Sequence, residues 1–244
     1  MSRYYNYYKN FTQPSEAELK RKQEASKKKA AKKGKTLDPI IVLTTGRNVC
    51  TSWWGKEWCR NLESYADFQN RLSRGKRYVR TGCVIDLKIK KGVIHALVQG
   101  SRGTPYRITI RISPLSEKKI EKIVKACHHK LDSLEKLIEG TFPKDMQELF
   151  LSEDGLFPKP SEIDFDCSCP DYAYMCKHIA ASLYGVGVRL DEDPLLFFEL
   201  RGIDPQQFIK GAITSRVESM LKNENKPSDR TIDEEKITDI FGVL

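Results

Sequence analysis

The sequence predicts an α+β fold, an antiparallel sheet with flanking helices plus a small strand-turn-helix module rich in cysteine. Two periodicities and one spacing predict it. In CVIDLKIK, Ile85, Leu87 and Ile89 alternate with Asp86, Lys88 and Lys90, the period of a half-buried strand. From Ser116 onward apolar residues recur every three to four positions, the period of a helix. Residues 167–178 gather three cysteines and one histidine.

Taken in order, residues 1–36 read as a flexible, basic, aromatic-containing tail. Leu19 is the one large aliphatic side chain in residues 15–36, too little to bury a core. Ahead of it, Tyr4, Tyr5, Tyr7, Tyr8 and Phe11 are interleaved with Arg3 and Lys9, and aromatics beside cations can stack on bases. Residues 37–115 read as a helix plus antiparallel β-sheet region. Trp53, Trp54, Trp58, Leu62 and Tyr65 form one stripe of a helix over 52–68, with Ser52 as N-cap. Residues 78–113 read as strands, with a turn at Lys91-Gly92 and a GSRGTP loop. In YRITIRI, Ile108, Ile110 and Ile112 alternate with Arg107, Thr109 and Arg111. A meander would therefore point Lys88, Lys90, Arg107 and Arg111 outward on one face. Residues 116–203 read as helical. Ile120, Ile123, Val124, Cys127, Leu131 and Leu134 define a stripe that Leu137 and Ile138 extend to Gly140, and a short helix follows over 143–151. Residues 204–244 read as C-terminal helices, 205–221 and 232–241, on either side of a polar loop.

The chain has 244 residues, with 42 Lys+Arg against 33 Asp+Glu, a net charge of +9. That total hides an asymmetry: residues 1–36 carry a net +8, residues 71–119 a net +11 and residues 120–244 a net −9. A strongly basic front half points to a polyanion partner, nucleic acid being the common one. Its candidate contacts are Arg71, Arg74, Lys76, Arg77, Arg80, Lys88, Lys90, Arg102, Arg107 and Arg111. No apolar run approaches the roughly 18 residues of a membrane span, and residues 1–11 hold no apolar h-region. Seven cysteines, an odd and unevenly spaced set, fit reduced thiols in a cytoplasmic protein better than a disulfide scaffold.

The most specific feature is FDCSCPDYAYMCKHIAASLYGVG, with Cys167-x-Cys169, six residues, then Cys176-x-His178. Cysteines at i and i+2 of an extended segment face the same way, and Pro170-Asp171 turns the chain back. Cys176 and His178 then open a helix over 177–185. Four such ligands match a closed tetrahedral zinc site with no position left for water, hence one structural Zn²⁺ in a Cys3His zinc-binding module over 163–188. Lys177 could offset the residual charge of three thiolates.

This pattern resembles the SWIM zinc finger, a class found with helicase-like chromatin-remodelling ATPases, plant transposases and small stand-alone bacterial proteins. The SWWGKEWCRNLESYADFQNRL, RGKRYVRTGCVIDLKI, VQGSRGTPYRITIRI and LYGVGVRLDEDPLLFFELRGID stretches look like the bacterial proteins, so the resemblance spans about residues 46–204. It implies Cys167, Cys169, Cys176 and His178 as zinc ligands. It also implies nucleic-acid or protein binding, and partnership with a helicase-like ATPase. Whether the nucleic acid is DNA or RNA is not specified by the motif.

Two further functions compete. A protein-interaction module could use the acidic back half. A Mg²⁺-dependent nuclease could use Asp67, Asp86 and Lys88, in which carboxylates hold the metal and the lysine orients water. Asp86 and Lys88 equally suit the polar face of an ordinary strand. Cys127 is expected in the core. His128 and His129 point about 100° apart on a helix and cannot form an i, i+4 metal pair. No catalytic motif stands out, and the expected protein is a non-enzymatic, zinc-binding nucleic-acid binder accessory to a helicase-like or transcription/repair assembly.

Overall fold

The structure, a computed structural model, describes residues 14–64, 69–130, 134–141, 143–171, 173–204 and 206. The aromatic cluster before residue 13, Tyr65, Asp67 and the helices expected over 205–221 and 232–241 lie outside the described residues. So do the side chains of Cys127, His128 and His129.

Helix α1 spans Glu16–Lys32. Ser15 caps it, its Oγ accepting the Glu18 N–H at 3.2 Å. Glutamates in the first turn and lysines in the last complement the helix dipole. Composition reads residues 1–36 as a flexible tail; the structure describes residues 16–32 of it as a helix seated on the body of the protein. Leu19 is fully buried, and polar side chains supply the remaining anchors. Gln23 Nε2 donates to Thr81 O at 2.9 Å, Ser26 Oγ to Gln99 Oε1 at 2.7 Å, and Lys22 Nζ to Ser101 O at 2.5 Å. Hydrogen bonds to chain turns, invisible to a hydrophobicity pattern, seat a helix that has almost no apolar face.

Helix α2 spans Trp53–Glu63. Ser52 is its N-cap, accepting the Gly55 N–H at 3.0 Å. Asp191 holds the cap from below, taking the Thr51 and Ser52 N–H groups at 2.6 and 3.0 Å. Trp54 and Trp58 are fully buried, and each indole N–H is satisfied: Trp54 donates to Leu137 O and Trp58 to Leu183 O, both at 2.8 Å.

Helix α3, Gln69–Arg80, replaces the extended chain expected from residue 78. Its buried stripe is Leu72, Gly75, Tyr78 and Val79, at helical spacing but interrupted by Arg74, Lys76 and Arg77 and flanked by Arg71 and Arg80. The sheet follows in the order β1 (Val84–Lys90), β2 (Val93–Val98), β3 (Tyr106–Ile112), β4 (Ile163–Cys167), all antiparallel. The turn from β1 to β2 passes through Gly92 at φ 69°, a conformation that suits glycine. Between β3 and β4 lie α4 (Glu117–Lys130), α5 (Leu134–Glu139) and α6 (Lys144–Leu151). After β4 come α7 (Lys177–Glu192) and α8 (Leu195–Leu200).

Helix α7 is the centre of the molecule. Every residue from His178 to Val188 is buried, as is Leu190. It lies on the apolar face of the sheet and is covered by α2 and α3. At Gly75 the approach of α3 is so close that a Cβ would sit 2.8 Å from the Ala180 carbonyl carbon. Phe197 and Phe198 of α8 pack edge-on against Trp54, and Phe197 against Trp58. Arg201, 1% exposed, donates to Ser113 O and to the Glu162 carboxylate, so its buried charge is paired. The core therefore does not follow the division expected at residue 115. β4 belongs to the same sheet as β1–β3, and one cluster of buried residues runs from Leu19 to Ile203.

Leu19→Ala removes the sole buried apolar side chain of α1, a truncation of a kind that costs about 2–4 kcal/mol. Hydrogen exchange should then show α1 amides losing protection while the amides of α7 keep theirs. Uniform loss across both helices would mean that α1 is integral to the global fold.

Candidate metal centre

β4 pairs with β3 in the register Ile110↔Phe165 and Ile108↔Cys167, which delivers Cys167 to the end of the sheet. The ladder runs one step further, with the Ser168 N–H donating to Arg107 O at 3.0 Å and the Arg107 N–H to Ser168 Oγ at 2.9 Å. This holds the Cys-x-Cys segment extended. Asp171 then forms the turn, accepting the Ala173 N–H at 3.3 Å, and Arg71 of α3 clamps its carboxylate at 2.8 Å. Tyr174 O–H donates to Ile163 O at 2.8 Å while its ring meets Phe165 edge-on. Met175 is fully buried, and the chain enters α7 with Cys176 as N-cap. A thiolate at that position faces the positive end of the helix dipole.

The four side chains converge. One ligand atom from each of Cys167, Cys169, Cys176 and His178 lies within 4.8 Å of all the others. His178 Nδ1 faces the sulfurs, 3.8 Å from Cys176 Sγ. That separation suits one edge of a tetrahedron with metal–ligand bonds of about 2.0–2.3 Å. Hydrogen bonds from Cys167 and Cys176 draw the Cys169 thiol far below the usual thiol range. Burial pushes the His178 pKa down, favouring the neutral imidazole that a metal takes. The donor set fits a closed structural Zn²⁺: three sulfurs and one nitrogen, buried or half-buried, with no carboxylate among them.

The surroundings of the histidine were not legible in the motif. Its ring, 2% exposed, stacks on Tyr106 of β3 at 4.2 Å and meets Tyr78 of α3 edge-on at 5.6 Å. Burial pushes the Tyr78 phenol up to about 12, so that neighbour stays uncharged. His178 Nε2 is buried without a hydrogen-bond partner and faces Gly100, where a Cβ would lie 2.9 Å away. Metal-binding histidines usually have the second ring nitrogen fixed by an acceptor. Here two aromatic rings fix the ring plane instead. Lys177, expected to offset the thiolates, lies over the Tyr78 ring at 5.8 Å.

Residues 159–185 match the SWIM zinc finger family. The chain carries a SWIM zinc finger. It holds one structural zinc through its Cys3His cluster. The chain is also 35% identical, over 181 residues, to the uncharacterized protein Rv2102 of Mycobacterium tuberculosis. That alignment covers 73% of this chain and 65% of the mycobacterial protein, just under two thirds of its length. No solved structure matches the chain.

The ten basic residues singled out as polyanion contacts fall in three places. On α3, Arg71 pairs with Asp171 and Lys76 with Glu63 at 2.6 Å, Arg77 reaches Pro14 O and Glu16, and Arg74 is half-buried. Arg80 binds the carbonyls of Thr44, Gly46 and Asn48, fixing the strap before α2. In the β2–β3 loop, Arg102 is exposed and leans on the Tyr106 ring. On the sheet, Lys88, Lys90, Arg107 and Arg111 do share one exposed face. β4 adds Asp164 and Asp166 to that face, and Arg111 pairs with Asp164 at 3.1 Å. Asp86 accepts the Asp38 N–H at 2.8 Å and lies 3.8 Å from Lys88, so its carboxylate tethers the segment that runs along β1.

Elemental analysis should give about one zinc per chain. His178→Ala should release it, with loss of structure around β4 and the start of α7. Gly100→Ala leaves every ligand in place but drives a methyl at the His178 ring, and should speed zinc transfer to a chelator. An unchanged transfer rate in that variant would show that Gly100 has no part in seating the ring.

Proposed function

We propose that this is a non-enzymatic, zinc-stabilised nucleic-acid-binding protein of the cytoplasm, acting as accessory to a helicase-like ATPase or a transcription/repair assembly. The observation that carries the reading is α1. From Lys27 to Thr36 the chain has six lysines and no acidic residue, and Lys28, Lys29, Lys32, Lys33 and Lys35 are exposed. The helix is seated on the β2–β3 loop that bears Arg102, at the end of the sheet where the zinc finger sits. An ordered row of cations offers phosphates a surface with less conformational entropy to lose than a flexible tail would. The sheet face is a weaker candidate, since Asp86, Asp164 and Asp166 offset most of its four cations.

Phosphate contacts give affinity and position without reading sequence, so low sequence preference is expected. The zinc module supports the fold and the placement of the loop rather than contacting phosphate. The non-enzymatic reading rests on the tethered Asp86. Among the described residues no helix is long and apolar enough to cross a membrane.

Binding to duplex or single-stranded nucleic acid should weaken with salt. Each duplex phosphate neutralised contributes about −0.9 to the log–log slope, so five lysines give about −4.5. Glutamate at Lys28, Lys29 and Lys32 should abolish most of the affinity, and Arg107→Glu with Arg111→Glu should matter less. The reverse ranking would move the interface to the sheet. Absence of binding to any DNA or RNA at low salt would favour the protein-interaction module. Incubation with Mg²⁺ should yield no cleavage of nucleic acid that Asp86→Ala removes.

A further inference from the structure

Outside the zinc finger, two more thiols are in contact. Cys50 ends the strap that leads into α2, and Cys59 lies on α2 itself. Their sulfurs are 3.4 Å apart, and the residues are 2% and 8% exposed. A disulfide needs about 2.05 Å between sulfurs, so small side-chain rotations separate this pair from a bond. The backbone around them is held in place: Asp191 binds Thr51 and Ser52, and Arg80 binds the strap carbonyls. Gly187 of α7 makes room for both sulfurs, since a Cβ there would lie 2.9 Å from Cys59 Sγ and 3.0 Å from Cys50 Sγ. A cleft of about 100 Å³ reaches the pair from outside, lined also by Lys56, Arg60, Glu63 and Lys76. Cys83 differs, since among the described residues its sulfur meets Gln23 and Thr81 and no second thiol.

We propose that Cys50 and Cys59 form a redox site separate from the zinc finger, a dithiol that hydrogen peroxide converts to a reversible disulfide. Cys59, the more exposed, is the attacking sulfur. Its thiolate takes one peroxide oxygen, the O–O bond breaks, and the departing hydroxide collects a proton to leave as water. Cys59 is then a sulfenic acid. Cys50 Sγ displaces its hydroxyl: the S–S bond forms, the S–O bond breaks, and the Cys50 proton leaves with the hydroxyl as a second water. Two thiols lose two electrons and the peroxide gains them. A thiol donor reverses the oxidation by exchange.

The test uses full-length, zinc-loaded protein treated with hydrogen peroxide, followed by alkylation of remaining thiols, peptide mapping and a zinc assay. The expected product is a Cys50–Cys59 cross-link that dithiothreitol reverses, with zinc content unchanged. Cys50→Ser should strand Cys59 as a sulfenic acid captured by dimedone, and Cys59→Ser should leave Cys50 unoxidised. The proposal is overturned if both thiols alkylate in full after peroxide. It is equally overturned if the zinc ligands oxidise and release metal before any cross-link forms. The wild-type map decides the matter even where a serine variant fails to fold.

Discussion

The zinc ligands fix the point at which α7 begins, and α7 is the post around which the other elements pack. Cys167 comes from the end of a sheet strand, while Cys176 and His178 come from the first turn of the helix. A metal joining them sets the height and rotation of α7 over the sheet. Helices α2 and α3 then pack against a surface already placed, and Trp58 donates its indole N–H to the α7 backbone. Loss of the metal would leave three sulfurs and a buried imidazole crowded together with no common partner, so binding energy and folding energy are here the same quantity.

The parts of this architecture that are local in sequence were legible in it. Cys167 through His178 is a twelve-residue pattern whose spacing names its metal, and the tryptophan stripe of α2 and the alternation of β1 and β3 follow from single-element periodicity. What escaped depends on contacts distant in sequence. In α3 the buried Leu72, Gly75, Tyr78 and Val79 are diluted by arginines and lysines, so the stripe reads as polar chain. α1 docks by Gln23, Ser26 and Lys22, side chains that no hydrophobic pattern counts. β4 is five residues long, with Asp164 and Asp166 between its apolar positions, and its place in the sheet is settled only by pairing with β3.

The same lesson applies to charge. Along the chain, the basic front and acidic back look like two bodies of opposite sign. In space they interleave: Arg71 meets Asp171, Arg111 meets Asp164, and Lys119 meets Asp154. Exposed pairs of this kind contribute little stability, about 0–1 kcal/mol each, but they cancel field. The lysines from Lys28 to Lys35 escape that cancellation along the chain, since no acidic residue lies between Glu24 and Asp38.

The bond from Trp58 to Leu183 spans 125 residues. At about 5–20 residues per second, a ribosome needs roughly 6–25 s to make that stretch. During that interval three tryptophans and the apolar face of the first three strands have no α7 to cover them. The nascent chain thus carries its stickiest surface early and completes it late, and the cell must shield it meanwhile. The zinc ligands, all within twelve residues, impose no comparable wait. Once the last of them leaves the exit tunnel, the metal can set the start of α7 within a short loop closure, and the long-delayed core can form in one step.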